Sequence, residues 1–467
     1  MSSKAWKILL CVGIPIAIAL LPVPVGLSAA AWKLFAIYIG AILGLMLKPL
    51  PEPVVLLAAI SVSSLLLDNI NVILSGYASS VTWLVVAAFL VGTAFVETGL
   101  GRRIAYMLID KFGKSSLRLG YVAAFTDLIL SPATPSATAR TGGIVYPIFR
   151  SIAVTLDSNP GPSARRIGSY LTLILYHICF CTGYMFMTAL SPNLLMLSFA
   201  ESIVNVKVDW LLWFKAAVVP GLVMLLLIPW VVYKIYPPEI DKIDNKALAA
   251  KGMRELGPMS RREKILAVLF VLAVLGWSTG TFTNIDSTAV AICFLAAALV
   301  GGVVSWESMV DSKGAWGILI WYGGIIGLSS GLAKTKFFDW LAKMMEANLN
   351  FIGYDSVVIL GGLLFFSIII RYLFASIAAY VATMIPVLFA IGVVAQVPPL
   401  PLVFLISFAA SYASMLTHYG GANGAVLFAA GYVDQITWWK IGAIMTIISF
   451  LVHMVIGLPY WKLIGLW

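Results

Sequence analysis

The chain has 467 residues, of which 61% are hydrophobic and only 11% charged. Soluble domains of this size carry about a quarter charged residues, so the composition excludes a soluble globular protein and leaves a polytopic membrane protein with no soluble domain. The formal net charge of +10 does not point to nucleic acid, because the basic residues cluster at the ends of apolar runs, where they set topology.

In chain order, runs able to cross roughly 30 Å of hydrocarbon predict eleven spanning helices near 6–24, 31–48, 53–67, 79–98, 167–200, 211–234, 264–283, 286–304, 315–333, 401–430 and 438–460. Residues 1–30 read as a retained first helix, not a signal peptide. Two further apolar blocks, 117–149 and 355–394, are interrupted near their middles by polar or small residues. Each is flanked by segments that topology puts on one side, so both read as re-entrant hairpins. The polar stretch 235–263 reads as a cytoplasmic linker in loop form. With the N-terminus inside, 21 of the 30 Lys and Arg fall on the cytoplasmic side, seven outside, and Arg140 and Arg371 within the hairpins. That asymmetry follows the positive-inside rule, and an odd number of spans puts the C-terminus outside.

The chain repeats weakly but in order. Ser191–Pro192–Asn193–Leu194 is similar to Gly421–Ala422–Asn423–Gly424, and Trp213–Phe214–Lys215–Ala216 to Trp438–Trp439–Lys440–Ile441. The copies cover 31–234 and 264–467, each with five spans and one hairpin, so the second enters the membrane inverted. Inverted repeats with broken helices are how secondary transporters are built, with the site near the midplane.

The segment Ser131–Gly143 (SPATPSATARTGG) is the strongest site signal. Two prolines, hydroxyl residues and Arg140 cannot face hydrocarbon, which satisfies neither freed backbone groups nor a guanidinium. Four breaks pair up. Ser136, Ala137 and Thr138 lie at the first hairpin tip, with Arg140 beyond, and Ser376, Ile377 and Ala378 lie at the second. Thr188 and Asn193 mark an interruption in span 167–200, and Thr417, His418, Tyr419, Gly420 and Asn423 mark one in span 401–430. A hairpin tip offers the N-terminus of its second arm, whose free N–H groups suit a carboxylate. Asn193 and Asn423 read as caps of the broken helices.

These residues carry a resemblance. The order hairpin, broken helix, hairpin, broken helix is similar to the divalent-anion/sodium symporter family. TPSATARTGGIVYPI at 134–148, THYGG at 417–421 and GYV at 431–433 resemble its citrate, tartrate, succinate and 2-oxoglutarate exchanger branch. The resemblance implies an all-α elevator-type carrier, homodimeric, in the inner membrane, that takes C4 or C5 dicarboxylates and uses no cofactor and no ATP. It marks each tip as Ser-Asn-Thr and gives the asparagines to sodium and substrate carboxylates. Here those positions are Ala137 and Ile377, which offer no side-chain oxygen to a hard cation. Arg140 and His418 are therefore expected to supply positive charge in place of sodium, which makes the carrier a sodium-independent exchanger. The alternatives are a sodium-coupled dicarboxylate symporter and an inorganic oxyanion or metalloid transporter.

Other readings stay local. Arg140 has a structural alternative, a pair with Asp127. Arg371, His177 and His453 read as structural. The four cysteines have no metal-like spacing and read as packing residues. Gly327–Leu328–Ser329–Ser330–Gly331 matches a nucleophile-elbow pattern, but in an apolar helix it lacks the required strand-to-helix turn, so no enzyme is expected.

Overall fold

The computed structural model describes residues 3–67, 70–348, 351 and 353–467, most of them helical. Among these, the one isolated extended pairing is an antiparallel bridge between Ser115 and Lys242. Eight helices among the described residues are long and apolar enough to cross a bilayer, from Ala29–Leu47 to Gln435–Leu463. Shorter apolar helices, Glu52–Leu67, Ser287–Val300 and Ser356–Arg371, accompany them. The first helix, Ser3–Leu20, stops short of the expected 24 because Pro22 and Pro24 follow, and a residue before proline is driven out of the helical region.

After that helix the order of elements runs twice. Ala29–Leu47, Glu52–Leu67 and Ser80–Thr98 precede the short helix Leu100–Phe112, and Arg261–Thr283, Ser287–Val300 and Lys313–Lys334 precede Phe337–Asn348. Next come the hairpins, Ser116–Leu130 with Tyr146–Thr155 and Ser356–Arg371 with Ile377–Val394. In the first, wide π-type turns over Thr138–Val145 open the second arm. Broken helices follow, Gly168–Met185 with Ser191–Phe199 and Pro399–Tyr412 with Ala422–Ala429, and each half closes on a long helix, Trp210–Ile235 or Gln435–Val452.

Among the described residues, three helices longer than ten residues lie where no apolar run predicted a span: Leu100–Phe112, Asn245–Leu256 and Phe337–Asn348. The stretch expected to be a loop is thus partly helical. Asp244 starts that helix by accepting from Ala247 N at 3.0 Å, an N-cap. Leu248 and Ala249 are buried, and Gly252 lies against the Tyr106 ring, where a β-carbon would come within 2.2 Å of Cζ. Arg103 of helix 100–112 grips Glu263 with two bonds, at 2.7 and 3.2 Å.

The helices form two packing groups. Helices 29–47, 52–67, 80–98, 287–300 and 313–334 pack on one another, and helices 116–130, 168–185, 210–235, 399–412 and 435–452 pack around helix 168–185 or its neighbours. In the first group, backbone meets backbone. A β-carbon on Gly327 would lie 1.8 Å from Ile73 O, and one on Gly76 would lie 1.9 Å from Gly323 O. The GLSSG motif is therefore a helix-packing notch within the unbroken helix Lys313–Lys334, of the small-residue kind common in membranes. Gly327→Val should cost more than about 3 kcal/mol through overpacking and leave no monodisperse protein on size exclusion. Ser329→Ala should leave the fold unchanged by the same measurement.

Candidate functional site

The first hairpin closes on a buried ion pair. Asp127 lies nine residues before the tip serine and Arg140 four after it, and their side chains meet at 3.1 Å with neither exposed. Thr141 Oγ1 donates to the other carboxylate oxygen at 2.7 Å, and Thr182 also donates to Asp127. The remaining guanidinium hydrogens go to backbone oxygens of Thr134 at 2.8 Å, Ala189 at 3.0 Å and Cys179 at 3.3 Å, and to Thr182 Oγ1 at 3.3 Å. Arg140 thus ties the hairpin loop to the break in the next helix. At the tip, Ser136 Oγ accepts from Ala139 N at 3.2 Å and starts the second arm.

The second hairpin repeats this plan with neutral groups. Counting from its tip serine, Ser376, the same offsets fall on Ser367 and Tyr380. Both cross-arm pairs are thirteen residues apart in sequence, and Ser367 Oγ meets Tyr380 Oη at 2.6 Å. Ser376 Oγ accepts from Ala379 N at 3.3 Å, as Ser136 does in the first. The arginine here comes from the other arm. Arg371, 1% exposed, donates to Phe374 O, to Gly420 O and, at 2.9 Å, to Ser414 Oγ. Its carbon head lies 5.4 Å from the Tyr380 ring centroid, and its Nε has no hydrogen-bond partner. Among the described residues, buried Arg103, Asp127, Arg140 and Glu263 all sit in ion pairs, whereas Arg371 has no acid partner.

Both broken helices are fastened to their hairpins. Thr188 donates to Pro132 O, Ser191 N donates to Pro135 O at 3.0 Å, and Asn193 Nδ2 donates to Gly183 O and Phe186 O at 2.8 and 3.1 Å. Asn193 thereby caps the end of the first half-helix. In the second, Arg371 makes the tie at Gly420, where a β-carbon would lie 2.1 Å from Ser414 O. Thr417 is buried, its carbonyl accepting from Tyr176 Oη. Tyr419 Oη donates to Tyr372 O at 3.4 Å. Asn423 is fully buried with neither amide atom partnered, so its capping role has no hydrogen bond behind it.

The halves interlock. Turns 138–145 of the first hairpin pack on restart helix 422–429, and arm 377–394 of the second packs on restart helix 191–199. Tyr176 Oη to Ser414 O, 2.9 Å, and Ser411 Oγ to Phe180 O, 2.8 Å, join the two helices just before their breaks. Ser136, Ala137, Thr138, Ser376, Ile377, Ala378, His418 and Tyr419 keep part of their surface accessible, while Thr188, Asn193, Thr417, Gly420 and Asn423 are buried behind them.

The expected charge carriers require correction. Arg140 is neutralised by Asp127 and aimed at carbonyls, because a guanidinium stripped of water must be paired. His418 Nδ1 accepts from Trp439 Nε1 at 3.0 Å. An indole N–H only donates, so the imidazole proton sits on Nε2 and the ring, stacked on Phe428 at 4.3 Å, is neutral. Arg371 carries the unbalanced charge. No motif singled it out, though the offsets from Ser136 would have located Ser367 and Tyr380.

Known proteins carry the same chain organisation. The family model for the transmembrane region of sodium:sulfate symporters matches residues 2–467. The inner membrane protein YbhI of Escherichia coli K12 is 49% identical, over 99% of this chain and 98% of its own length. An L-tartrate/succinate antiporter of Escherichia coli strain 536 is 33% identical over 98% of both chains. The crystal structure of the Alcanivorax borkumensis YdaH transporter shares the fold at 14% identity, with a TM-score of 0.54 over 99% of this chain and 98% of that one.

The two cross-arm pairs differ in what their loss costs. Asp127→Asn leaves a buried guanidinium uncompensated, about 3–5 kcal/mol, whereas Ser367→Ala removes one neutral bond, about 1 kcal/mol. Thermal unfolding in detergent should show a large drop for the first and a small one for the second.

Proposed function

Because this chain belongs to the divalent-anion/sodium symporter family of membrane transporters, we propose that it exchanges C4 or C5 dicarboxylates, of the succinate, malate, fumarate or 2-oxoglutarate type, across the inner membrane. The observation that carries this reading is the packing of each hairpin on the restart helix of the other half, with Arg371, the one buried charge without an acid among the described residues, at the second hairpin loop and break. Helix N-termini and serine or threonine hydroxyls suit carboxylates. A buried charge left alone costs several kcal/mol, and a nearby carboxylate offsets that cost. Return with an anion aboard is then easier than return empty, which favours exchange. Relatedness to an L-tartrate/succinate antiporter supports the same substrate class.

On this reading Ser136, Thr138 and Ser376 donate to the substrate with the backbone N–H groups around Ala137, Ile377 and Ala378. His418 Nε2–H is a further neutral donor. Arg371 sets the field and holds the second tip in place. The hairpins, the broken helices and the long helices 210–235 and 435–452 move together against the other packing group, as an elevator, in a homodimer. The N-terminus is cytoplasmic and the C-terminus outside.

One observation favours a second reading. Asn193 Oδ1 and Asn423 Oδ1 are buried oxygens without donors, and such oxygens are hard-cation ligands; a sodium-coupled symporter would use them. Uptake of labelled succinate into proteoliposomes, preloaded or empty, with and without sodium, decides between the two. The expected result is uptake that needs internal dicarboxylate and ignores sodium, with sulfate and arsenite failing to compete. Sodium-driven uptake into empty vesicles would reject exchange. Arg371→Gln should raise the apparent KM for succinate by about tenfold or more, the worth of a charge-assisted interaction. Lys should restore part of the loss.

A further inference from the structure

The outer face of the first hairpin carries a groove that the transport site does not use. It lies between helix 100–112 and the arm 116–130 and has a volume of about 490 Å³. Along the arm, its wall is built by Arg118, Val122, Phe125 and Ile129, spaced four, three and four residues apart, so they form one stripe on one helix face. At 1.5 Å per residue the stripe runs about 16 Å, about half of a roughly 30 Å hydrocarbon core. Leu108 of helix 100–112 faces it. Phe125 remains 39% exposed and Phe112, at the mouth, 49%.

The mouth is basic. Lys111, Lys114 and Arg118 line it at the start of the arm, and none is in an ion pair among the described residues. The acids on the adjoining segments are already engaged. Asp110 is paired with Lys246 at 2.9 Å, and Asp241 accepts from Tyr233 Oη at 3.3 Å. The mouth is also fixed in shape. Ile243 N donates to Lys114 O at 3.2 Å and Ser116 N to Asp241 O at 2.9 Å, while Asn245 Nδ2 donates to Ile109 O at 3.1 Å. The linker thus straps the loop that presents the three cations.

We infer that this groove binds one anionic phospholipid of the cytoplasmic leaflet. Its phosphate sits among Lys111, Lys114 and Arg118, and an acyl chain lies along Leu108, Val122, Phe125 and Ile129. The match is of charge at the mouth, apolar lining below it, and a depth of one leaflet. The cytoplasmic placement rests on the proposed topology. The arm that contacts the lipid also carries Asp127, which holds Arg140 and hence the first tip, so occupancy stiffens the arm on which that tip is built.

Native mass spectrometry of the purified full chain, exchanged into phosphatidylethanolamine with or without phosphatidylglycerol, tests this. The wild type should keep one phosphatidylglycerol under activation that strips phosphatidylethanolamine. The K111Q/K114Q/R118Q variant should hold it about a hundredfold more weakly, given the usual worth of three cations at an anionic surface. Ile129→Trp, which keeps the charges and fills the groove, should lose the adduct too, and inorganic phosphate should not displace it. Equal retention in the charge variant would overturn the assignment. So would full retention in Ile129→Trp, which would mean charge attraction without a seated chain, or displacement by phosphate, which would mean a free-anion site. Thermal unfolding of both variants separates loss of lipid from loss of fold.

Discussion

A chain that stops being helical inside a bilayer must satisfy its own backbone, because hydrocarbon offers neither donors nor acceptors. This protein stops four times near one region, and two arginines meet the demand. Arg140 donates to carbonyls of the first hairpin loop and of the break at Ala189, and Arg371 donates to carbonyls of the second hairpin loop and of the break at Gly420. A guanidinium suits the task because it presents five donors in a fixed fork and stays charged. Without these ties Ala189 O and Gly420 O would lose their side-chain donors, and the tips, the restart helices and any ligand site between them would lose their common frame.

The two halves solve the same problem at different cost. In the first, the arginine follows the tip and an aspartate nine residues before it neutralises the charge. In the second, the corresponding offsets hold Ser367 and Tyr380, and the arginine has moved to the arm before the tip, where it finds a ring face and the Ser414 hydroxyl but no carboxylate. Symmetry of backbone therefore coexists with asymmetry of charge. An exchanger on the proposed reading needs that asymmetry. A site balanced on both sides would have no electrostatic reason to favour an occupied carrier over an empty one, and a site with two unpaired buried arginines would be hard to fold.

Apolar runs made most spans legible because lipid imposes length and composition directly. The hairpin tips were legible for the complementary reason: Ser131–Gly143 could not face hydrocarbon, so it had to be an interior break. What could not be read was pairing. Whether Arg140 faces Asp127 or a ligand depends on which arm faces which, and sequence spacing alone leaves both open. Arg371 read as structural, and its role went unseen, because its partners are the carbonyls of Phe374 and Gly420, and carbonyls carry no sequence signature. Helices 100–112 and 245–256 were missed for another reason. Their charged residues interrupt the apolar run, and their stability comes from contacts such as Gly252 on Tyr106, which a scan for spans does not register.

The boundary between the packing groups has the character that the proposed movement requires. Inside the first group, Gly327 and Gly76 bring backbones into direct contact, and sliding there would drive carbonyls into neighbouring chain. Among the described residues the polar links between the groups come from side chains, Tyr38 Oη to Ala382 O at 2.8 Å, Tyr322 Oη to Ser191 O at 3.4 Å and, from helix 261–283, which packs on 287–300, Thr281 Oγ1 to Asp209 Oδ2 at 3.0 Å. Each is worth about 1 kcal/mol net and can be exchanged for water or another carbonyl as the groups shift. Two of the three end on the carrier's working parts, the second arm of hairpin two and the restart of the first broken helix. On the proposed reading, movement along this boundary would break weak bonds at the site's edge, and the arginine ties, which lie wholly within the proposed moving group, would travel with the substrate intact.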